Sequence, residues 1–167
     1  MKRRCCAIMW LFSVGIAIVI FVFSSQPASK SGKVSGGVTI RILNLLPQLK
    51  TMPEHHKIEI AEKLEPFIRK CAHFSLYASL GFCLAAALFL SGARLGKSVG
   101  YSYGMGTLYA ASDELHQFFV PGRSAQVSDV FLDSVGVIAG CLVLWVLIKI
   151  LGKRGNIYVQ KIHKTHD

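Results

Sequence analysis

Ser112-Asp113-Glu114-Leu115-His116-Gln117-Phe118-Phe119-Val120-Pro121-Gly122-Arg123-Ser124-Ala125-Gln126-Val127-Ser128-Asp129-Val130-Phe131-Leu132-Asp133 lies between two long apolar runs. It holds four carboxylates, a histidine, two glutamines and an arginine. In water this would be an ordinary polar loop. Between two membrane spans it is a costly arrangement, and ionisable groups at membrane depth mark functional sites by default. Pro121-Gly122 signals a tight turn in its middle. The stretch therefore reads as two helix ends joined by a turn.

The flanking runs set the class. The chain has 167 residues, of which 52% are hydrophobic and 17% charged. Soluble domains carry about 25% charged residues. The apolar residues are bunched, which points to several transmembrane helices. The net charge of +10 would suit nucleic acid. The basic residues stand at segment ends and in loops, however, so membrane lipids are the expected partner and nucleic acid is not. Cys5, Cys6, Cys71, Cys83 and Cys141 form no CxxC and no zinc-ligand spacing. They read as small apolar fillers. No cofactor is expected.

The expected fold is all-α, a four-span transmembrane helix bundle over residues 1–150. The first span, about 7–23, follows Lys2, Arg3 and Arg4. A cleaved leader over residues 1–28 is the competing reading of the same pattern. Residues 24–66 form a long loop. Val38, Arg41, Ile42, Leu45 and Leu46 follow helical spacing up to Pro47. Ile58, Ala61 and Leu64 do so up to Pro66. Each reads as a short amphipathic helix, on the membrane surface or against the rest of the protein. Pro66 suits the first turn of the second span, about 67–91. The third span is about 98–118. Ser128 is placed to cap the fourth, about 129–150. A basic tail, 151–167, carries Lys153, Arg154, Lys161 and Lys164. With Lys2, Arg3, Arg4, Arg94 and Lys97 it predicts N-in and C-in in a bacterial cytoplasmic membrane.

Depth and angle then locate a site. Lys70, His73 and Tyr77 lie near the outer end of span two. Asp113, Glu114, His116 and Gln117 lie near that of span three, and Asp129 and Asp133 near that of span four. Arg123 comes from the turn. At ~100° per residue, Lys70, His73, Tyr77 and Gly81 share an arc of roughly 80°. Gly106, Ala110, Asp113 and Gln117 share roughly 60°, as do Asp129, Asp133, Gly136 and Gly140. Each stripe is polar at its outer end and small deeper down, where small residues permit close helix packing. Asp113 and Asp133 sit about one turn, ~5 Å, deeper than Gln117 and Asp129. Lys70, His73 and Arg123 are their candidate cationic partners. These groups either lock the bundle together or hold a ligand.

Lys70-Cys71-Ala72-His73-Phe74…Tyr77, followed by Ser112–Phe118, Pro121-Gly122-Arg123, Asp129, Asp133 and Gly136, resembles the VanZ-like family of bacterial membrane proteins. The Phe23-Ser24-Ser25-Gln26 exit from span one is similar too. The resemblance runs from about Trp10 to Trp145. Family members often carry Asn at the position of Asp133. The resemblance implies a four-span protein linked to the cell envelope, in a family whose founding member is associated with resistance to the glycopeptide teicoplanin. It implies no mechanism.

Three chemistries fit the residues. Lys70, His73 and Arg123 suit the phosphate or carboxylate of a lipid-linked cell-wall precursor, or a glycopeptide, with the carboxylates orienting them. Alternatively, His116 and Asp113 at i, i+3 are candidate catalytic residues of an enzyme acting on a lipid phosphate, His as general base. No GxSxG nucleophile motif supports that reading. Asp113, Glu114, His116, His73 and Asp129 are of the right type for a divalent ion. Their spacing matches no metal motif, and no metal is expected. Transport through four short spans would require an oligomer.

Overall fold

The computed structural model describes residues 2–46 and 52–163, and side chains for 3–46 and 52–152. Its elements are α1 (Lys2–Ser24), α2 (Ala28–Leu45), α3 (Glu54–Leu90), α4 (Leu95–Gln117) and α5 (Val127–His163), with no strand among the described residues. The expected stop at Pro47 and the tail residue Lys164 lie outside them.

The bundle is built with polar groups inside and apolar ones outside. On α1 the buried residues are Ser13, Ile20 and Ser24, a seam at spacings of seven and four. Leu11, Phe12, Val14, Ile18, Phe21 and Val22 face outward. α5 is the same: Phe131, Leu142, Val143 and Leu147 are exposed, while Asp133, Ser134 and Val137 are buried. Such a surface suits hydrocarbon rather than water. Segments Arg3–Ser24, Glu54–Leu90 and Val127–Gly152 are long and apolar enough to cross a membrane. α4 is not among them, because Gly96, Ser98, Gly100, Tyr101, Ser102, Tyr103 and Gly104 dilute its hydropathy.

α3 is the central element, packed against α1, α2, α4 and α5. It corrects the expectation of a separate short helix ending before Pro66. The helix runs unbroken for 37 residues with Pro66 inside it. At ~1.5 Å per residue it is about 55 Å long, against ~30 Å of hydrocarbon. Proline removes one backbone bond and ordinarily kinks or ends a helix. Here α2 packs along the turns of α3 that lead up to the proline: Gly32 approaches Glu65, and Lys57 Nζ bonds Asn44 Oδ1 at 2.8 Å. The ring of Pro66 is left exposed. α2 buries Ser35, Thr39 and Leu43 and exposes Val34, Val38, Ile42 and Leu45.

α3 and α5 run parallel in very close contact. Ala78 meets Gly140 and Phe74 meets Gly136. A methyl on Gly140 would run into the Ala78 carbonyl oxygen, and one on Gly81 into that of Val137. Only hydrogen lets these backbones touch, as the small residues in both stripes imply. α4 runs antiparallel to them, and its buried face is Ser98, Ser102, Gly106, Ala110, Asp113, Glu114 and Gln117. α1 is antiparallel to α3: Cys6 lies at the Ser91 end, at 3.1 Å, and Ser24 at the opposite end. One end of the bundle therefore collects the C-termini of α1 and α4, the start of α5 and the Lys70–His73 turn of α3.

α5 begins at Val127, earlier than expected, so Ser128 lies within its first turn rather than capping it. The Glu114 carboxylate accepts the N–H of Gln126, the preceding residue, at 2.6 Å. A carboxylate there also suits the positive end of the helix dipole.

Candidate functional site

The turn at the centre of the opening stretch positions the arginine. Arg123 N–H donates to Val120 O at 3.1 Å, and Gly122 has φ +75°. This is a type II geometry, with proline before a glycine that adopts the left-handed region. The turn is tied to α2, whose Ala28 N–H donates to Pro121 O at 3.3 Å.

From there Arg123 reaches back to the end of α1. Its Nε donates to Gln26 O at 2.9 Å, Nη2 to Phe23 O at 3.0 Å and Nη1 to Gln117 Oε1 at 2.9 Å. Two of these acceptors are carbonyls at a helix C-terminus, where a cation also opposes the dipole. Gln117 passes the connection on, donating to Asp113 Oδ2 at 3.2 Å. Ser24 Oγ donates to the same oxygen at 2.7 Å. A relay thus runs from Arg123 through Gln117 to Asp113 and back to α1. Asp113 Oδ1 and Tyr77 Oη are buried with no hydrogen bond among the described residues.

A crevice of about 20 Å³, room for roughly one water, opens beside this relay. It is lined by Arg69, Lys70, His73, Glu114, Gln117, Arg123, Asp129, Leu132 and Asp133. Lys70 Nζ pairs with Asp129 Oδ1 at 2.6 Å, and His73 Nδ1 lies 3.6 Å from Asp133 Oδ2. Arg69 pairs with Glu65 at 3.1 Å. Arg123 forms no ion pair among the described residues. Its burial pulls the guanidinium below its usual pKa, and the neighbouring Arg69 charge adds to the effect. It stays charged at any ordinary pH.

Seven of the ten sequence candidates line this crevice: Lys70, His73, Glu114, Gln117, Arg123, Asp129 and Asp133. Tyr77 lies in the core behind it, with ring centroids 6.4 Å from His73 and 6.2 Å from Tyr109. Asp113 is joined to it through Gln117. His116 turns away: it stacks on Phe21 at 4.8 Å and its Nε2 lies 3.1 Å from Ser25 Oγ. The His116–Asp113 pair is not joined, since Asp113 bonds Ser24 at the end of α1 and His116 meets Ser25 just after it. The pairing expected between Asp113 and a cation is likewise indirect. The histidine and carboxylate brought together are His73 and Asp133.

Four contributors escaped sequence reasoning: Arg69, Ser24, Ser25 and Gln26. Ser24 ends α1 and Ser25 and Gln26 follow it; together they form the polar exit of the first apolar run, and that exit is their only sequence signal. Arg69 follows Glu65 by four residues, which reads as a solvated helix pair. Among the described residues no three His, Cys, Asp or Glu side chains converge to hold a metal.

Residues 9–149 match the VanZ/LLP1 family model. No curated protein and no solved structure matches the chain. The Phe23–Gln26 exit, the Lys70–His73 turn and the 112–133 hairpin all fall within the matched span, and the chain belongs to the VanZ/LLP1 family.

Proposed function

We propose that this VanZ-family membrane protein binds the anionic head group of a lipid-linked envelope precursor. In this reading α4 is the fourth span of a bundle in the bacterial cytoplasmic membrane. The short basic flanks stay inside, the 118–126 turn faces out, and the apolar face of α2 rests on lipid. α4 supports the count, because it lies against α3 and α5 and turns Leu108, Leu115 and Met105 outward.

The observation that carries the proposal is Arg123. Its three bonded acceptors are all neutral oxygens, and a second guanidinium, Arg69, stands close by. Arg69 is paired with Glu65, whereas no carboxylate bonds the Arg123 guanidinium among the described residues. A guanidinium has five N–H groups, so Arg123 retains two for a phosphate or carboxylate. Lys70 and His73 stand next to it on α3.

The test is retention of a lipid phosphomonoester by the purified protein, against the neutral alcohol of the same chain, measured by native mass spectrometry. Preference for the phosphate is expected, and loss of that preference in a folded Arg69→Gln/Lys70→Gln double variant. Equal retention of the two lipids by the unaltered protein would refute head-group binding. A protective role against teicoplanin would require the same binding residues in cells.

A second reading is hydrolysis of that lipid phosphate. It is favoured by His73 and Asp133 standing together around a space that fits one water, beside the cations. A carboxylate behind a histidine supports it as general base, and guanidinium groups stabilise developing charge. Phosphate release lost in His73→Gln but not in His116→Gln would support this reading. No release from any lipid phosphate that binds would remove it.

A further inference from the structure

A second cavity, of about 240 Å³, adjoins the crevice. Its apolar walls are Phe23 of α1, Val34 and Val38 of α2, and Ile68, Ala72 and Leu76 of α3. Arg69, His73 and Arg123 line both spaces. The two linings differ in sign. The small crevice includes Glu114, Asp129 and Asp133, whereas the larger cavity includes no carboxylate. Its polar lining is completed by the neutral Gln26, Ser31 and Ser35.

The small crevice has room for roughly one water, and its acids repel an anion. The larger cavity is roomier and has no carboxylate in its lining; Glu65 and Asp133 stand behind Arg69 and His73, and Arg123 is bonded only to neutral oxygens. We infer that the ligand is an amphipathic lipid anion held across this cavity. Its phosphate sits against Arg69, His73 and Arg123, and the first part of its hydrocarbon chain lies between α2 and α3, against Val34, Val38, Ile68 and Leu76. The inference rests on the anion-binding reading above and adds the chain site and the lipid-side entry.

The shape of α2 accounts for the entry. Val34 and Val38 are exposed at 48% and 42% while Ser35 and Thr39 are buried against α3. An apolar helix face bordering a cavity with a cationic end matches an alkyl or isoprenoid phosphate in both charge and polarity. Inorganic phosphate would use only the end, and a neutral lipid only the walls.

The experiment titrates the full-length protein in lipid nanodiscs with inorganic phosphate, butyl, octyl and dodecyl phosphate, and dodecanol. Affinity should rise with chain length by up to about fourfold per methylene until the cavity is filled, then level off. Val38→Trp should fill the cavity from an exposed position and flatten that rise. It should lower dodecyl phosphate affinity by about tenfold or more and leave inorganic phosphate binding unchanged. Ala72→Leu repeats the test should Val38→Trp fail to fold, folding being followed by thermal melting. Affinity independent of chain length would overturn the chain site and leave the anion-binding reading standing. Dodecanol binding as tightly as dodecyl phosphate would overturn the cationic end. Failure of every phosphate to bind would overturn the anion-binding reading, and this inference with it.

Discussion

Arg123→Met isolates the part of this site that is structural. The guanidinium bonds Phe23 O, Gln26 O and Gln117 Oε1 at 2.9–3.0 Å. Hydrogen bonds from charged donors contribute ~1.5–3 kcal/mol each. A simple sum overshoots, because one side chain makes all three bonds and Phe23 O keeps the Gln26 N–H at 3.3 Å. Roughly 3–5 kcal/mol is expected, since shared partners are not additive. For a chain of this size that lowers Tm by about 10 °C. Arg123→Lys retains the charge without the fork and should fall about midway. The assay is thermal unfolding in detergent combined with amide hydrogen exchange. Exchange should accelerate first at residues 24–28, where α1 loses its cap, while the α3–α5 contact stays protected. A Tm within about 1 °C of the unaltered protein would refute this account of Arg123. So would destabilisation with no excess exchange at the end of α1.

Gly140→Ala drives a methyl into the Ala78 carbonyl oxygen, so the backbones of α3 and α5 must separate; folded yield and Tm should fall sharply. Gly104→Ala is its control, with nothing within 4 Å, and should be neutral or stabilising by ~0.5–1 kcal/mol. Gly122→Ala places a side chain at φ +75° with its Cβ 3.2 Å from that of Ala28, and should cost roughly 1–3 kcal/mol by the same melting assay. For orientation, Ser124→Cys in a background without native cysteines should react with an impermeant maleimide on intact cells. Lys97→Cys should react only after permeabilisation, and the reverse pattern would invert the proposed topology.

The apolar runs were enough to identify three of the four expected spans as helices long and apolar enough to cross a membrane, because hydrophobic length is a local property. Periodicity was equally informative about faces. Gly106, Ala110, Asp113 and Gln117 are the buried stripe of α4, and Asp133, Gly136 and Gly140 that of α5. Local rules failed where a partner overrode them. Pro66 reads as a helix start, yet α3 runs through it, with α2 packed along the turns that precede it. Ser128 reads as a cap, yet the Glu114 carboxylate fixes the N–H before it.

Pairing across the site was beyond the sequence. A period of ~100° per residue fixes the direction of a side chain on its own helix. It does not fix the register of one helix against another. That register sends Asp113 to Ser24 and His116 to Ser25, and joins His73 to Asp133. It also turns Arg123 toward carbonyls and a glutamine instead of a carboxylate. Close glycine contacts between α3 and α5 set this register, and tertiary packing alone decides which groups are left with spare charge. The sequence by itself determined that polar residues would gather at one end of an apolar bundle. Only the tertiary structure decided which of them lock the helices and which face the crevice.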